Sequence, residues 1–153
     1  MVAMQDITFS VPIVSLDDLV AGPSEEENNG HGSNIDWQLY ASITYDADRK
    51  RWYGSTHVSN QLGIHARPSS AIVNHSSRYN MGLFMRNDYT GSEMSSKSML
   101  SFLTLVAAEG IPVTVSAEAH SAEDFEGKKA VYEILNYIQN VLPVIEPPKK
   151  DMD

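Results

Sequence analysis

The sequence predicts an α+β protein, in which one β-sheet carries its helices on a single face. From residue 51 onward, hydrophobic periodicity gives the order strand, helix, strand, strand, helix, strand, helix. The 153 residues are 42% apolar, which is enough for one domain with a buried core. No apolar run approaches the ~20 residues that a membrane-spanning helix needs.

The net charge and the absence of cysteine indicate which binding partners and which cellular compartment to expect. A formal net charge of −9 disfavours nucleic acid and anionic membranes as partners. Residues 1–52 carry most of this acidity, with nine acidic and three basic residues. Cysteine is absent, which excludes disulfides and thiolate zinc sites, and no signal peptide is visible. We therefore expect a cytoplasmic protein.

The first fifty residues are predicted to form an extension. Residues 22–36 are rich in acids, Gly and Asn, which predicts a mobile acidic loop. Before this loop, residues 7–14 are expected to form an extended segment. Ser15 resembles the N-cap of a short turn that follows it. After it, apolar residues alternate with polar ones and predict an additional strand before a turn at residues 46–48. The alternating residues are Trp37, Leu39, Ala41, Ile43 and Tyr45.

The elements of the main domain follow in order along the chain. The predicted strands cover residues 51–58, 83–86, 93–95 and 111–117, and the first two helices cover residues 66–78 and 97–108. Pro68 lies in the first helical turn, where its missing N–H does no harm. The second helix is expected to stop at Gly110.

The last helix and the end of the domain are predicted from cap and proline signals. Ser121 is expected to open the helix with Asp124 as its capping acid, and Val131, Leu135 and Ile138 line its buried face. Prolines at 143, 147 and 148 are expected to end the ordered chain. The predicted domains are therefore an extension (1–50), a folded domain (51–140) and a charged tail (141–153).

The segment around His65 has the physical features of a phosphate-handling site. A helix is predicted to begin just after His65, and its first N–H groups and dipole attract anions. Arg67 adds a guanidinium that suits phosphate oxygens, and Gly63 lets the chain bend close to the site. The positive surroundings favour a neutral imidazole that can attack phosphorus. From the residues alone, a histidine near a proline at a helix start is more often an ordinary loop residue.

Other catalytic arrangements fit less well. His31, His57, His75 and His120 show no metal-ligand spacing, so no metal and no cofactor are expected. Ser69 and Ser70 lie near His65, but the chain lacks the strand–Gly-x-Ser-x-Gly–helix elbow of a serine hydrolase.

Two separated motifs resemble one known family. The segment Gly-Ile-His-Ala-Arg-Pro at 63–68 resembles the phosphorylation site of HPr, the phosphocarrier of the bacterial phosphoenolpyruvate-dependent sugar phosphotransferase system. The segments Ser-Lys-Ser-Met-Leu at 96–100 and Val-Thr-Val-Ser-Ala-Glu at 113–118 resemble that family's second helix and fourth strand, at the family's spacing. The resemblance covers about residues 51–140. It implies an open-faced sandwich, with an antiparallel four-stranded sheet and three helices on one face.

The resemblance also implies roles for individual residues. His65 matches the histidine that accepts a phosphoryl group on Nδ1 from phosphorylated Enzyme I and passes it to an Enzyme IIA. Arg67 and the backbone N–H groups of Ala66 and Arg67 would hold the group. The protein would act as a monomeric carrier within a phosphotransferase system rather than as a stand-alone enzyme.

Two further sites follow from the resemblance. Ser98 matches a serine that a dedicated kinase phosphorylates in some members, although a plain helix cap explains it equally well. Met99, Leu100 and Leu103 resemble an exposed apolar patch that docks partners, and Ser70 and Asn74 on the first helix are expected to bind partners as well. Phe102 and Leu105 are the better core positions.

Departures from the family pattern keep other functions open. Lysines that many relatives carry at the docking surface are replaced by Asn74, Ser77 and Ser101, so affinity for Enzyme I is in question. The alternatives are an HPr-like regulatory protein, in a nitrogen or carbon-control branch, and a pure interaction module that binds a regulator.

Overall fold

A computed structural model describes residues 35–147 of the chain. The predictions for residues 7–14, for Ser15 and for most of the acidic loop lie outside these residues, as does the end of the tail. The described helices are α1 (Trp37–Ala41), α2 (Ala66–Ser76), α3 (Met99–Leu105), α4 (Phe125–Asn136) and α5 (Leu142–Ile145), with a π-helical turn (Tyr137–Val141) between the last two. The strands are β1 (Thr44–Asp46), β2 (Arg51–His57), β3 (Leu83–Asn87), β4 (Glu93–Ser95) and β5 (Pro112–Glu118).

The strands form one antiparallel sheet in the order β1-β2-β5-β3-β4. The central strand β5 pairs with β2 along seven residues and with β3 along five. The four strands predicted for the main domain are therefore present. The additional strand of the extension is also present, shortened to three residues of β1, which pair with the start of β2.

The helices cover the sheet through one continuous apolar core. The predicted inward faces are confirmed, since Ala71 and Ile72 on α2, Val131 and Leu135 on α4, and Ile138 in the π-helical turn are all buried. Contact between α4 and β2 is close. A Cβ added to Gly54 would lie 2.5 Å from Cδ1 of Leu135 and 2.9 Å from Cγ1 of Ile43. A larger residue at position 54 would therefore push the helix layer away from the sheet.

The strand predicted over residues 37–45 is wrong in its first half. Residues Trp37–Ala41 form a helix, capped by Asp36, whose side chain accepts a hydrogen bond from the backbone N–H of Leu39 at 3.0 Å. The neighbouring residues Leu39 and Tyr40 are both buried, which a strand with one buried face cannot achieve. The apparent alternation missed that Tyr40 belongs to the core.

Two helix boundaries also differ from the prediction. Helix α3 ends at Leu105, five residues before Gly110, and its C-cap is Val106 in the left-handed conformation (φ 50°, ψ 51°). Helix α4 begins after Asp124 rather than at Ser121. Ser121 instead accepts a hydrogen bond from the N–H of Glu123 in the preceding turn.

The prediction that Pro143 ends the ordered chain is wrong. After α4 the chain continues through the π-helical turn into α5, where Pro143 occupies an early position that needs no N–H donor. Leu142 is fully buried, which ties this segment to the core. Part of the predicted charged tail is therefore ordered structure. Among residues 35–147, no helix combines the length and apolar character that crossing a membrane requires.

Candidate functional site

His65 is the N-cap residue of α2 and is accessible from solvent. Its backbone is extended (φ −88°, ψ −164°), and its carbonyl accepts the first helical hydrogen bond, from the N–H of Ser69 at 2.9 Å. The side chain makes no capping hydrogen bond and is 28% exposed. Helix geometry directs the N–H groups of Ala66 and Arg67 out of this end of α2. The imidazole therefore lies at the positive end of a helix, within reach of another molecule.

The loop before His65 is held by contacts that require glycine. Gly63 has φ +70°, and a Cβ at this position would lie 2.5 Å from the carbonyl oxygen of Ala107. The next residue, Ile64, donates its N–H to that same oxygen at 2.9 Å. The loop therefore lies directly against the segment that follows α3, as the predicted close bend at Gly63 required.

A carboxylate from the far end of the chain contacts the imidazole. Both carboxylate oxygens of Glu146, the residue after α5, lie 2.8 Å from Nε2 of His65. One of them is also 3.8 Å from Nε of Arg67, an ion-pair distance. The Glu146 side chain is only 10% exposed. Among the described residues, all hydrogen bonding of the His65 ring runs through Nε2, so Nδ1 faces none of these partners.

The side-chain amide of Asn60 forms a hydrogen bond with this carboxylate. It is fully buried, and its Nδ2 donates to the carbonyl oxygen of Gly63 at 2.8 Å and to Oε1 of Glu146 at 2.9 Å. One amide thus ties the loop before His65 to the C-terminal segment. A buried amide N–H group without an acceptor costs free energy, so the folded state favours the position of Glu146 in which its carboxylate accepts this hydrogen bond. Asn60 therefore helps to fix the position of the carboxylate.

The pKa of the Tyr137 hydroxyl is influenced by two charged residues of the site, Glu146 and Arg67. Burial raises the pKa of the Tyr137 hydroxyl above its usual value, the Glu146 carboxylate raises this pKa further, and the Arg67 guanidinium partly offsets both. Tyr137 therefore remains a neutral phenol under the two charged groups.

Glu146 and Asn60 are functional candidates that the sequence analysis missed. Glu146 is 81 residues from His65, and the prolines around it suggested the end of order. The available signal was the apolar residues Val141, Leu142 and Ile145, which continue the helical period beyond Ile138 and end at an acid. Asn60 lies in a polar bend and carries no signal of its burial.

The remaining predicted site residues lie on α2 and at the start of α3, two helices that contact each other. Ser98 is the N-cap of α3, and its hydroxyl accepts a hydrogen bond from the N–H of Ser101 at 3.3 Å. Ser70 and Asn74 are exposed on α2. Ser98 therefore has the structural role of a cap, whatever else it does.

Exposed apolar residues lie on α3, directly after α3, and in the loop that carries His65. Met99, Leu100 and Leu103 are exposed on α3, with Leu100 at 77%, whereas Phe102 and Leu105 are buried as predicted. Two apolar residues that the sequence analysis did not select are also exposed: Leu62 before His65, and Val106 at 69% after α3. We call Leu62, Met99, Leu100, Leu103 and Val106 the apolar patch.

A second histidine–carboxylate pair lies away from the site. His75 Nε2 is 2.7 Å from Oε1 of Glu133, and the hydroxyl of Tyr79 donates to the same oxygen. Burial, followed by the Glu133 carboxylate, raises the pKa of Tyr79. Both His75 and Glu133 are nearly buried, so this pair joins α2 to α4 within the fold. In the described part of the chain, no three acidic or histidine side chains are grouped to hold a metal ion.

The geometry suits reversible binding of an anionic group. An accessible imidazole nitrogen, a helix N-terminus and a guanidinium can take up a phosphoryl group together, and exposed apolar residues beside them can bind the protein that delivers it. This combination of groups is typical of a protein that exchanges a phosphoryl group with other proteins.

Comparison with known proteins agrees with this class. The family model described as "PTS HPr component phosphorylation site" matches residues 54–140. The phosphocarrier protein NPr of Klebsiella oxytoca is 30% identical over 79 residues, covering 52% of this chain and 84% of NPr. The HPr-like protein Crh of Bacillus subtilis is 27% identical over 72 residues, covering 47% of this chain and 82% of Crh.

A solved structure shares the fold. The crystal structure of the phosphocarrier protein HPr from Bacillus anthracis aligns with a TM-score of 0.51 and 24% identity, covering 58% of this chain and 98% of that one. The chain therefore belongs to the HPr family of phosphocarriers. The resemblance predicted from the two motifs is confirmed, as is the predicted open-faced α+β fold.

Proposed function

We propose that this protein carries a phosphoryl group on His65, accepting it from phosphorylated Enzyme I and donating it to an Enzyme IIA of a phosphotransferase system. The observation that supports this proposal most directly is the accessible His65 imidazole at the start of α2, with Arg67 in the first helical turn. Membership of the family supplies the reaction class.

The chemistry needs positioning and charge stabilisation rather than a metal. The lone pair of Nδ1 attacks phosphorus while the bond to the donor's histidine breaks, and the departing electron pair stays on the donor nitrogen. The N–H groups of Ala66 and Arg67 and the Arg67 guanidinium would neutralise the phosphoryl oxygens. The apolar patch would place the two histidines in line by binding the partner's surface.

A regulatory role is the second candidate. The docking positions Asn74, Ser77 and Ser101 are uncharged, and Ser77 and Asn74 are exposed on or just after α2. An HPr-like protein with weakened electrostatic attraction to Enzyme I would suit a signalling branch, in which slow turnover is acceptable. The names of the relatives NPr and Crh leave both branches open.

A regulatory modification and a compartment extend this proposal, and one alternative stands against it. A serine kinase and phosphatase acting on Ser98 would add regulation at the start of α3, where a phosphate would replace the capping hydroxyl. The protein would work in the cytoplasm, where phosphoenolpyruvate is available. A pure interaction module is the reading that remains if His65 is never phosphorylated.

The proposal is tested by mixing the protein with phosphoenolpyruvate and Enzyme I. We expect a gain of one phosphoryl group that is labile in acid and stable in base, and no gain in His65→Ala. His75→Ala is the matched control, since it removes another histidine of α2 and should leave the gain unchanged. If the wild-type protein gains nothing while a standard HPr is phosphorylated, the carrier function is wrong. A panel of Enzyme IIA domains then separates sugar transport from a regulatory branch.

A further inference from the structure

We infer that Glu146 is a positioning residue for the phosphoryl transfer, acting through Nε2 of His65. This inference rests on the proposed function and adds a residue from the C-terminal segment to it. Its basis is the contact of both Glu146 oxygens with Nε2 at 2.8 Å, together with the buried amide of Asn60 that holds the carboxylate at 2.9 Å.

The first consequence concerns the tautomer of the imidazole. A carboxylate accepts hydrogen bonds only, so its contact with Nε2 requires a proton on that nitrogen. In the neutral ring the lone pair then lies on Nδ1. Glu146 therefore selects the tautomer in which Nδ1 is the nucleophile, and it does so before any partner binds.

The second consequence concerns the charge that develops during transfer. When the Nδ1 lone pair forms the bond to phosphorus, the ring still holds the proton on Nε2 and becomes cationic. The Glu146 carboxylate stabilises this charge, which is absent in the unphosphorylated neutral ring, so its contribution is larger in the transition state. On transfer to the next protein, the Nδ1–phosphorus bond breaks and its electron pair returns to Nδ1. The Nε2 proton remains in place throughout, so no proton or electron is gained or lost.

The C-terminal segment has the rigidity that this role needs. Glu146 follows α5, and its N–H donates to the carbonyl oxygen of Leu142 at 2.8 Å, while Leu142 itself is fully buried. The carboxylate is thus held by the backbone on one side and by Asn60 on the other. A loose surface acid would lose much of its effect to solvent, whereas this one is 10% exposed.

The test compares Glu146→Leu and Glu146→Asp with the wild-type protein. Nitrogen-15 NMR of the His65 ring should show the Nε2–H tautomer in the wild-type protein, a mixture in Glu146→Leu and partial recovery in Glu146→Asp. Phosphorylation by Enzyme I should slow roughly 10- to 100-fold in Glu146→Leu, by analogy with metal-binding histidines, for which loss of the hydrogen-bond partner has an effect of this size. The phosphorylated Glu146→Leu protein should also hydrolyse more slowly at neutral pH, because its ring is less readily kept protonated.

Glu133→Gln is the chemically matched control, because it alters the other histidine–carboxylate pair, at His75. It should shift the ring signals of His75 and leave the tautomer and the phosphorylation rate of His65 unchanged. Wild-type tautomer and rates in a folded Glu146→Leu protein would overturn the inference while leaving the carrier function intact. Absence of phosphorylation in the wild-type protein would instead remove the proposed function on which it rests.

Discussion

Individual residues at the site divide into those that local sequence can predict and those that it cannot. The placement of His65 at a helix start and of Gly63 in a tight bend was predictable, because both features are encoded within six residues. Glu146 was not, since its contact with His65 depends on the length and course of the whole chain between them.

Arg67 provides the residue-scale prediction. We expect Arg67→Glu to slow phosphorylation of His65 by about tenfold, because charge-assisted contacts contribute about 1.5–3 kcal/mol and a half-exposed side chain lies at the lower end. The stability of the fold should change little. Rapid-quench measurements of phosphoryl transfer from phosphorylated Enzyme I give the rate. The control is Arg78→Glu, which changes an exposed arginine just after α2. Equal rates in the two variants would contradict the role of Arg67.

The type of a helix or strand was predictable where the hydrophobic pattern repeats several times. The residues at which the elements end were predicted less well. Strand β5 and helices α2 and α4 combine several buried positions at regular spacing, so their type was predictable. The end of α3 was not, because it rests on Val106 in a conformation that a β-branched residue rarely adopts. Nothing local favours that conformation. Asn87 helps to hold it, since its Nδ2 donates to the carbonyl oxygens of Leu105 (2.9 Å) and Val106 (3.4 Å).

Val106 provides the element-scale prediction. We expect Val106→Gly to stabilise the protein by up to about 1 kcal/mol. The left-handed conformation costs a non-glycine residue about 1–2 kcal/mol, and the greater entropy of glycine in the unfolded state offsets part of this gain. The urea midpoint of unfolding measures this change. Leu103→Gly, at an exposed position inside α3, should lower the midpoint by a similar amount. A decrease in both variants would show that Val106 is not strained.

At the scale of the whole molecule, the extension and the main domain share one core. Ile35, Leu39, Tyr40 and Ile43 are buried with residues of the main domain, and the N–H of Asp36 donates to the hydroxyl of Tyr132 at 2.8 Å. The predicted boundary at residue 51 followed from the family pattern, which does not include this segment. We propose that the folding unit includes residues 35–50.

Truncation provides the prediction at this scale. A protein that starts at Ile35 should keep the thermal transition of the full chain, whereas one that starts at Arg51 should lose it at physiological temperature. Burial of each large apolar side chain contributes roughly 1.5–3 kcal/mol, so four of them approach a total stability of about 5–15 kcal/mol. Calorimetry of the two truncated proteins decides between the boundaries. Matching transitions would restore the boundary at residue 51.

The carboxylate of Glu146 lies where free anions from the surroundings would otherwise gather. Inorganic phosphate approaching the Arg67 guanidinium must compete with a tethered acid that is always present at high effective concentration. A phosphoryl group delivered by a protein meets the same carboxylate, but under the proposed function the docked protein surface and the new covalent bond to His65 offset its repulsion. Glu146 would thereby disfavour free phosphate more strongly than a phosphoryl group that a bound partner brings.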